Sequence, residues 1–72
     1  MDDVEWTRTR YGWRADHGSV SLYVWRDGRG VHYVANRGGD VIRGGDVHSM
    51  ACGMLRAEKA AGLHRKGIQN AT

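Results

Sequence analysis

The chain has 72 residues, a formal net charge of +3, a single cysteine, no proline and no phenylalanine. A chain this short has room for one domain, because such a core buries only about 60% of the surface that the unfolded form exposes, and one cysteine excludes the internal disulfide that often staples small domains. The opening Met1-Asp2-Asp3-Val4-Glu5 is acidic where a secretory leader is basic and then apolar, and no run approaches the ~20 apolar residues of a membrane span; the expectation is a soluble protein of a reducing cytoplasm, with no membrane partner.

Glycine supplies the punctuation that proline does not. Val4 to Arg8 reads as an extended segment, and the opposite parity of Trp6 and Trp13 calls for a bend or bulge between them. Tyr11-Gly12-Trp13-Arg14-Ala15 is a strand that turns through Asp16-His17-Gly18. The clearest element is the hairpin of Ser19 to Arg26 with Val31 to Asn36, joined at Asp27-Gly28, a strong type I′ turn signal. That loop sets Val24 opposite Val31, Leu22 opposite Tyr33 and Val20 opposite Ala35. Any even loop length keeps Val20, Leu22, Val24, Val31, Tyr33 and Ala35 on one face, with Ser21, Tyr23, Trp25, His32 and Val34 on the other, because side chains alternate with a period of two.

Asp40 to Arg43 reads as a short edge strand. A helix is expected from about Asp46, as N-cap, to Gly62, as left-handed terminator. Val47, Met50, Ala51, Met54, Leu55 and Ala61 would form its buried stripe, with Arg56, Glu58 and Lys59 on the wetter flank. The sum is an α+β domain over residues 1–63, a three- or four-stranded antiparallel meander with one C-terminal helix packed on one face, followed by a frayed tail over 64–72.

One helix covers one face of a sheet, so Tyr23, Trp25 and His32 are expected on a surface open to a partner. Arg8, Arg10, Arg14, Arg26, Arg29 and Arg37 surround them in sequence. Aromatics interleaved with arginine suit stacking on bases and pairing with phosphates; Trp, Tyr and Arg are equally the residues of protein interface hot spots. Two arrangements would hide the face: the segment carrying Trp6, Tyr11 and Trp13 folded across it, or a homodimer through it. The candidate partner-binding residues are therefore Tyr23, Trp25, Arg26, His32, Arg14, Arg29, Arg8 and Arg10.

Chemistry is sparse. His48 and Cys52, four apart on the expected helix, would supply two metal ligands where structural zinc takes four, so no metal or other cofactor is expected. Asp16, Asp27, Asp40 and Asp46 sit beside glycines or strand ends and suit turns and caps. No phosphate-loop motif precedes a helix. The expectation is that the chain is not an enzyme.

The order of strands and one helix, with Gly12-Trp13-Arg14-Ala15 and the Ala-rich stretch Ala57 to Ala61, resembles the small DNA readers of the AP2 type and the arm-binding domains of integrases. That resemblance implies a sheet face entering the major groove, with Arg14, Tyr23, Trp25, Arg26 and His32 as readers. As a tiny glycine-punctuated α+β chain without catalytic apparatus, the sequence also resembles anti-CRISPR proteins and related small phage proteins. This second resemblance implies a phage-type inhibitor that docks on a host defence nucleoprotein complex in the host cytoplasm. A non-enzymatic binding module of that kind is the leading expectation, and direct DNA or RNA binding the alternative.

Overall fold

Residues 3–65 are described by the computed structural model. Their elements are β1 (Asp3–Val4), β2 (Trp6–Arg8), β3 (Gly12–His17), β4 (Val20–Asp27), β5 (Gly30–Arg37), β6 (Asp40–Val47), α1 (Met50–Ala61) and β7 (His64–Arg65). Strands β2 to β6 form one antiparallel sheet in chain order, and β1 pairs in parallel with β7 as a separate two-stranded piece. The sheet thus has five strands where three or four were expected. His64 and Arg65, expected in the tail, belong to β7, and the remainder of that tail, 66–72, lies outside the described residues.

The extra strand comes from β2, and β6 is longer than expected because Gly44 and Gly45 do not break it. Gly45 stands opposite Tyr33, where a Cβ would already lie 3.5 Å from the ring. Asp46 and Val47 consequently belong to β6 instead of opening the helix. Ser49 takes over as N-cap, its Oγ accepting the Cys52 N–H at 3.1 Å. The expected terminator holds: Gly62 is left-handed at φ 72°, and the N–H groups of Gly62 and Leu63 donate to the carbonyls of Lys59 and Glu58.

The central hairpin is shifted by two residues from the expected register. Asp27 pairs with Gly30 across Gly28-Arg29, so Leu22 faces Ala35 and Val24 faces Tyr33. Asp27 Oδ1 accepts the Arg29 N–H at 2.8 Å, and Gly30 alone in this turn has positive φ, so the type I′ turn is not the one formed. A shift of two preserves every facing. Val20, Leu22, Val24, Val31, Tyr33 and Ala35 are all buried on the helix side.

The buried stripe of the helix agrees with the expected one at Met50, Met54 and Ala61 and departs from it at Ala51 and Leu55. Gly53, Ala57, Glu58 and Ala61 are buried, whereas Ala51 and Leu55 are exposed. Small residues spaced by four let the helix axis come close to the sheet, so that Val24 fills the place of a missing side chain: a Cβ on Gly53 would sit 2.7 Å from Val24 Cγ1. Met50 and Met54 close the flanks of this seam. Glu58, expected on the wet flank, is 3% exposed, and its Oε2 accepts the indole N–H of Trp6 at 2.6 Å. The bond ties β2 to α1 across the edge of the core. Arg37 donates from Nη2 to the Ala61 carbonyl at 3.3 Å and anchors the other end.

Candidate functional site

Pairing across the sheet assigns each side chain to a face, since directly opposed residues point the same way. Away from the helix lies a row Arg14, Tyr23, Val34, Gly44, and beside it a row Gly12, Trp25, His32, Asp46. A third row holds Asp16, Ser21 and Asn36. Trp6 and Trp13 pair with Ala15 and Val24 on the helix side. The odd three-residue turn Thr9 to Tyr11 brings these opposite-parity tryptophans onto one face, and neither covers the open one. The face that binding would require is bare among the described residues.

Its relief is an apolar recess of about 450 Å³ bordered by Tyr11, Tyr23, Trp25 and Val34, with Thr9 and Asp27 at its rim. Tyr11 is 64% exposed, and Tyr23, Trp25 and Val34 are half-buried by their strand neighbours. Two contacts hold the rings upright. The Arg14 guanidinium lies over Tyr23, 5.5 Å from its centroid, and the Trp25 ring meets the His32 ring at 5.4 Å.

His32 is the most constrained group on the face. Its Nδ1 lies 2.6 Å from Asp46 Oδ1 and its Nε2 lies 2.9 Å from Asp27 Oδ1. A neutral imidazole donates from one nitrogen only, whereas two carboxylate partners call for two donors, so the arrangement favours imidazolium. The Asp27 bond, followed by the Asp46 bond, raises the His32 pKa above its ordinary value of 6.5. In return His32, with help from the Arg29 N–H, lowers the Asp27 pKa below 3.8. The result is a charged clamp joining β4, β5 and β6 at one end of the aromatic recess. With both ring nitrogens occupied, His32 has no lone pair to offer a substrate or a metal, and the carboxylates approach it from different nitrogens instead of converging on one point.

The expected partner residues separate into groups. Arg14, Tyr23, Trp25 and His32 share the open face. Arg8, opposite Trp13, and Arg26, opposite Val31, belong by register to the helix side. Arg10 and Arg29 lie in turns, Arg10 over the Tyr11 ring at 5.6 Å. The arginines therefore do not form one ring around the aromatics. Arg14, the one arginine of the open rows, is already paired, its Nε 3.2 Å from Asp16 Oδ2, and Ser21 Oγ donates to the other oxygen of that carboxylate.

Sequence reasoning missed Asp27 and Asp46 as members of this face. Asp27 does serve its turn, but Asp46 is not a cap; only the β5–β6 pairing, which sets it opposite His32, reveals its partner. His48 lies ahead of the helix, so the helical juxtaposition with Cys52 that could have gathered two metal ligands does not arise. Comparison with family models, with curated proteins and with solved structures returns no match to this chain.

Proposed function

We propose that the chain is a non-enzymatic binding module that docks through its open sheet face onto a protein surface, as a phage-type inhibitor of a CRISPR–Cas-like nucleoprotein complex in the host cytoplasm. The single observation behind the docking surface is the uncovered recess bordered by Tyr11, Tyr23, Trp25 and Val34. Tyr and Trp in a shallow apolar depression surrounded by polar groups have the composition of an interface hot spot. The rings are held by Arg14 and His32, so little side-chain freedom remains to be lost on docking.

Charge favours protein over nucleic acid at this face. Arg14 is matched by Asp16, and His32 is matched by Asp27 and Asp46. Carboxylates on the strands that a DNA-reading sheet would lay in the groove repel phosphates. The AP2-like use of this face is correspondingly disfavoured. The narrower assignment, to an inhibitor of a host defence complex, is supported by style alone: a tiny glycine-punctuated α+β chain without catalytic apparatus, as anti-CRISPR proteins are.

The test is a plasmid-interference assay in cells carrying one CRISPR–Cas effector at a time, with the chain co-expressed as wild type or as Trp25→Ala. The expected result is loss of interference for one effector type with the wild type and restored interference with Trp25→Ala, circular dichroism confirming that the variant is folded. Undiminished interference with every effector, or equal inhibition by Trp25→Ala, would overturn the proposal.

A further inference from the structure

Behind the aromatic face, at the end of the sheet near the start of α1, lies a second recess of about 440 Å³ where Arg8, Arg10 and Arg26 converge with Tyr11, Trp13 and Met50. These arginines come from β2, from the turn after it and from the end of β4, and the fold alone brings them together. No carboxylate lines the recess, and among the described residues Arg8, Arg10 and Arg26 make no ion pair. Arg14 differs in being matched by Asp16.

The aromatic contacts orient these groups. Arg8 lies over Trp13 at 5.3 Å and Arg10 over Tyr11 at 5.6 Å. A guanidinium held against a ring by cation–π attraction spends none of its N–H donors on a carboxylate, which leaves them for the forked pairing that phosphate oxygens accept. Tyr11 and Arg26 border both recesses, so the arginine cluster runs without interruption into the aromatic one.

We infer that this edge binds a single nucleic-acid strand, with Arg8, Arg10 and Arg26 on consecutive phosphates and the exposed ring of Tyr11 as the platform for a base. Cationic groups tracking a backbone beside a free aromatic face are the components of single-strand recognition. The other basic recess, of Arg43, Arg56 and Lys59, has only the ring of Tyr33, which is 6% exposed and has no free face for stacking. The inference does not rest on the docking proposal, since its phosphate contacts are Arg8, Arg10 and Arg26 instead of the Arg14 and His32 that flank the docking rings, although Tyr11 and Arg26 border both recesses.

The experiment is fluorescence anisotropy of the isolated full chain with labelled oligothymidylate and oligouridylate. Three phosphate contacts give a slope of log K on log salt of about −2, or roughly 20-fold weaker binding between about 50 and 200 mM salt. Arg8→Ala with Arg26→Ala should reduce that slope to about −0.7, and Arg8→Lys with Arg26→Lys should keep it, which separates lost charge from a lost fold. Tyr11→Ala should weaken binding at least about fivefold with the slope unchanged. Arg56→Ala with Lys59→Ala should leave binding intact. No binding at low salt, an unchanged slope in the double alanine variant, equal affinity for inorganic polyphosphate and oligonucleotide, or dependence on Arg56 and Lys59 would each overturn the inference. Because the interference assay reads Trp25 on the open face, either idea can fail while the other stands.

Discussion

The two faces of the sheet are drawn from alternate residues of the same strands and are held in different ways. On the helix side, Leu22 and Val24, each 1% exposed, pack against the small-residue stripe of Gly53, Ala57 and Ala61, and shape complementarity over a dry seam does the stabilising. On the open side no layer is packed among the described residues, and the rings of Tyr23 and Trp25 are positioned by Arg14 and His32, themselves fixed by Asp16, Asp27 and Asp46. The contrast teaches that a 72-residue chain can concentrate its stability in one face and leave the other free to serve as a surface.

Substitutions that match each other in chemistry but not in face should therefore diverge. The largest expected effect is Leu22→Ala, which opens a cavity in the dry seam and should cost about 2–5 kcal/mol, read as a lowered urea midpoint with an unchanged m-value. Next is Glu58→Ala, which leaves the Trp6 indole N–H without its 2.6 Å acceptor and should cost about 1–2 kcal/mol. Trp25→Ala removes a larger side chain than either, yet on the open face it loses only cross-strand contact and should cost about 1 kcal/mol or less. If it destabilises as much as Leu22→Ala, the division between faces is wrong.

The smallest effect is expected from pH. The folded pKa of His32 lies above 6.5, so its clamp contributes fully below that value and is lost as pH rises through the folded pKa. Asp27 runs the other way: its folded pKa lies below 3.8, and its contribution, present above that value, is lost as pH falls through the folded pKa. The thermal midpoint of the wild type should decline relative to that of His32→Gln as pH rises through the folded His32 pKa, and parallel curves for the two would rule out the charged clamp.

The facings of the central hairpin were legible in the sequence because alternation does not depend on loop length: Asp27 and Gly30 closing the turn moved the register by two and left Tyr23, Trp25 and His32 on the same side. The helix stripe was legible in part: Met50, Met54 and Ala61 do pack against the core, whereas Leu55 is exposed and Gly53 and Ala57 take the centre, because large apolar residues outweigh small ones in any hydrophobic pattern. The spacing Gly53, Ala57, Ala61 was nevertheless there to be seen, as the mark of a helix lying close to its sheet. Gly44-Gly45 has the look of a break, and only the pairing with Tyr33 and Val34 of β5 carries the strand through it. The side of Arg26 was legible, since alternation along β4 puts it with Leu22 and Val24, whereas Arg8 acquires a side only through its pairing with Trp13 across the turn.

The most direct measurement is a nuclear Overhauser map of the labelled chain in solution. Cross-peaks are expected from Gly53, Ala57 and Ala61 to the methyl groups of Leu22, Val24 and Ala35, and none from α1 to the rings of Tyr23 or Trp25. Cross-peaks between those rings and the helix, with Leu22 and Val24 showing none, would contradict the division between the two faces.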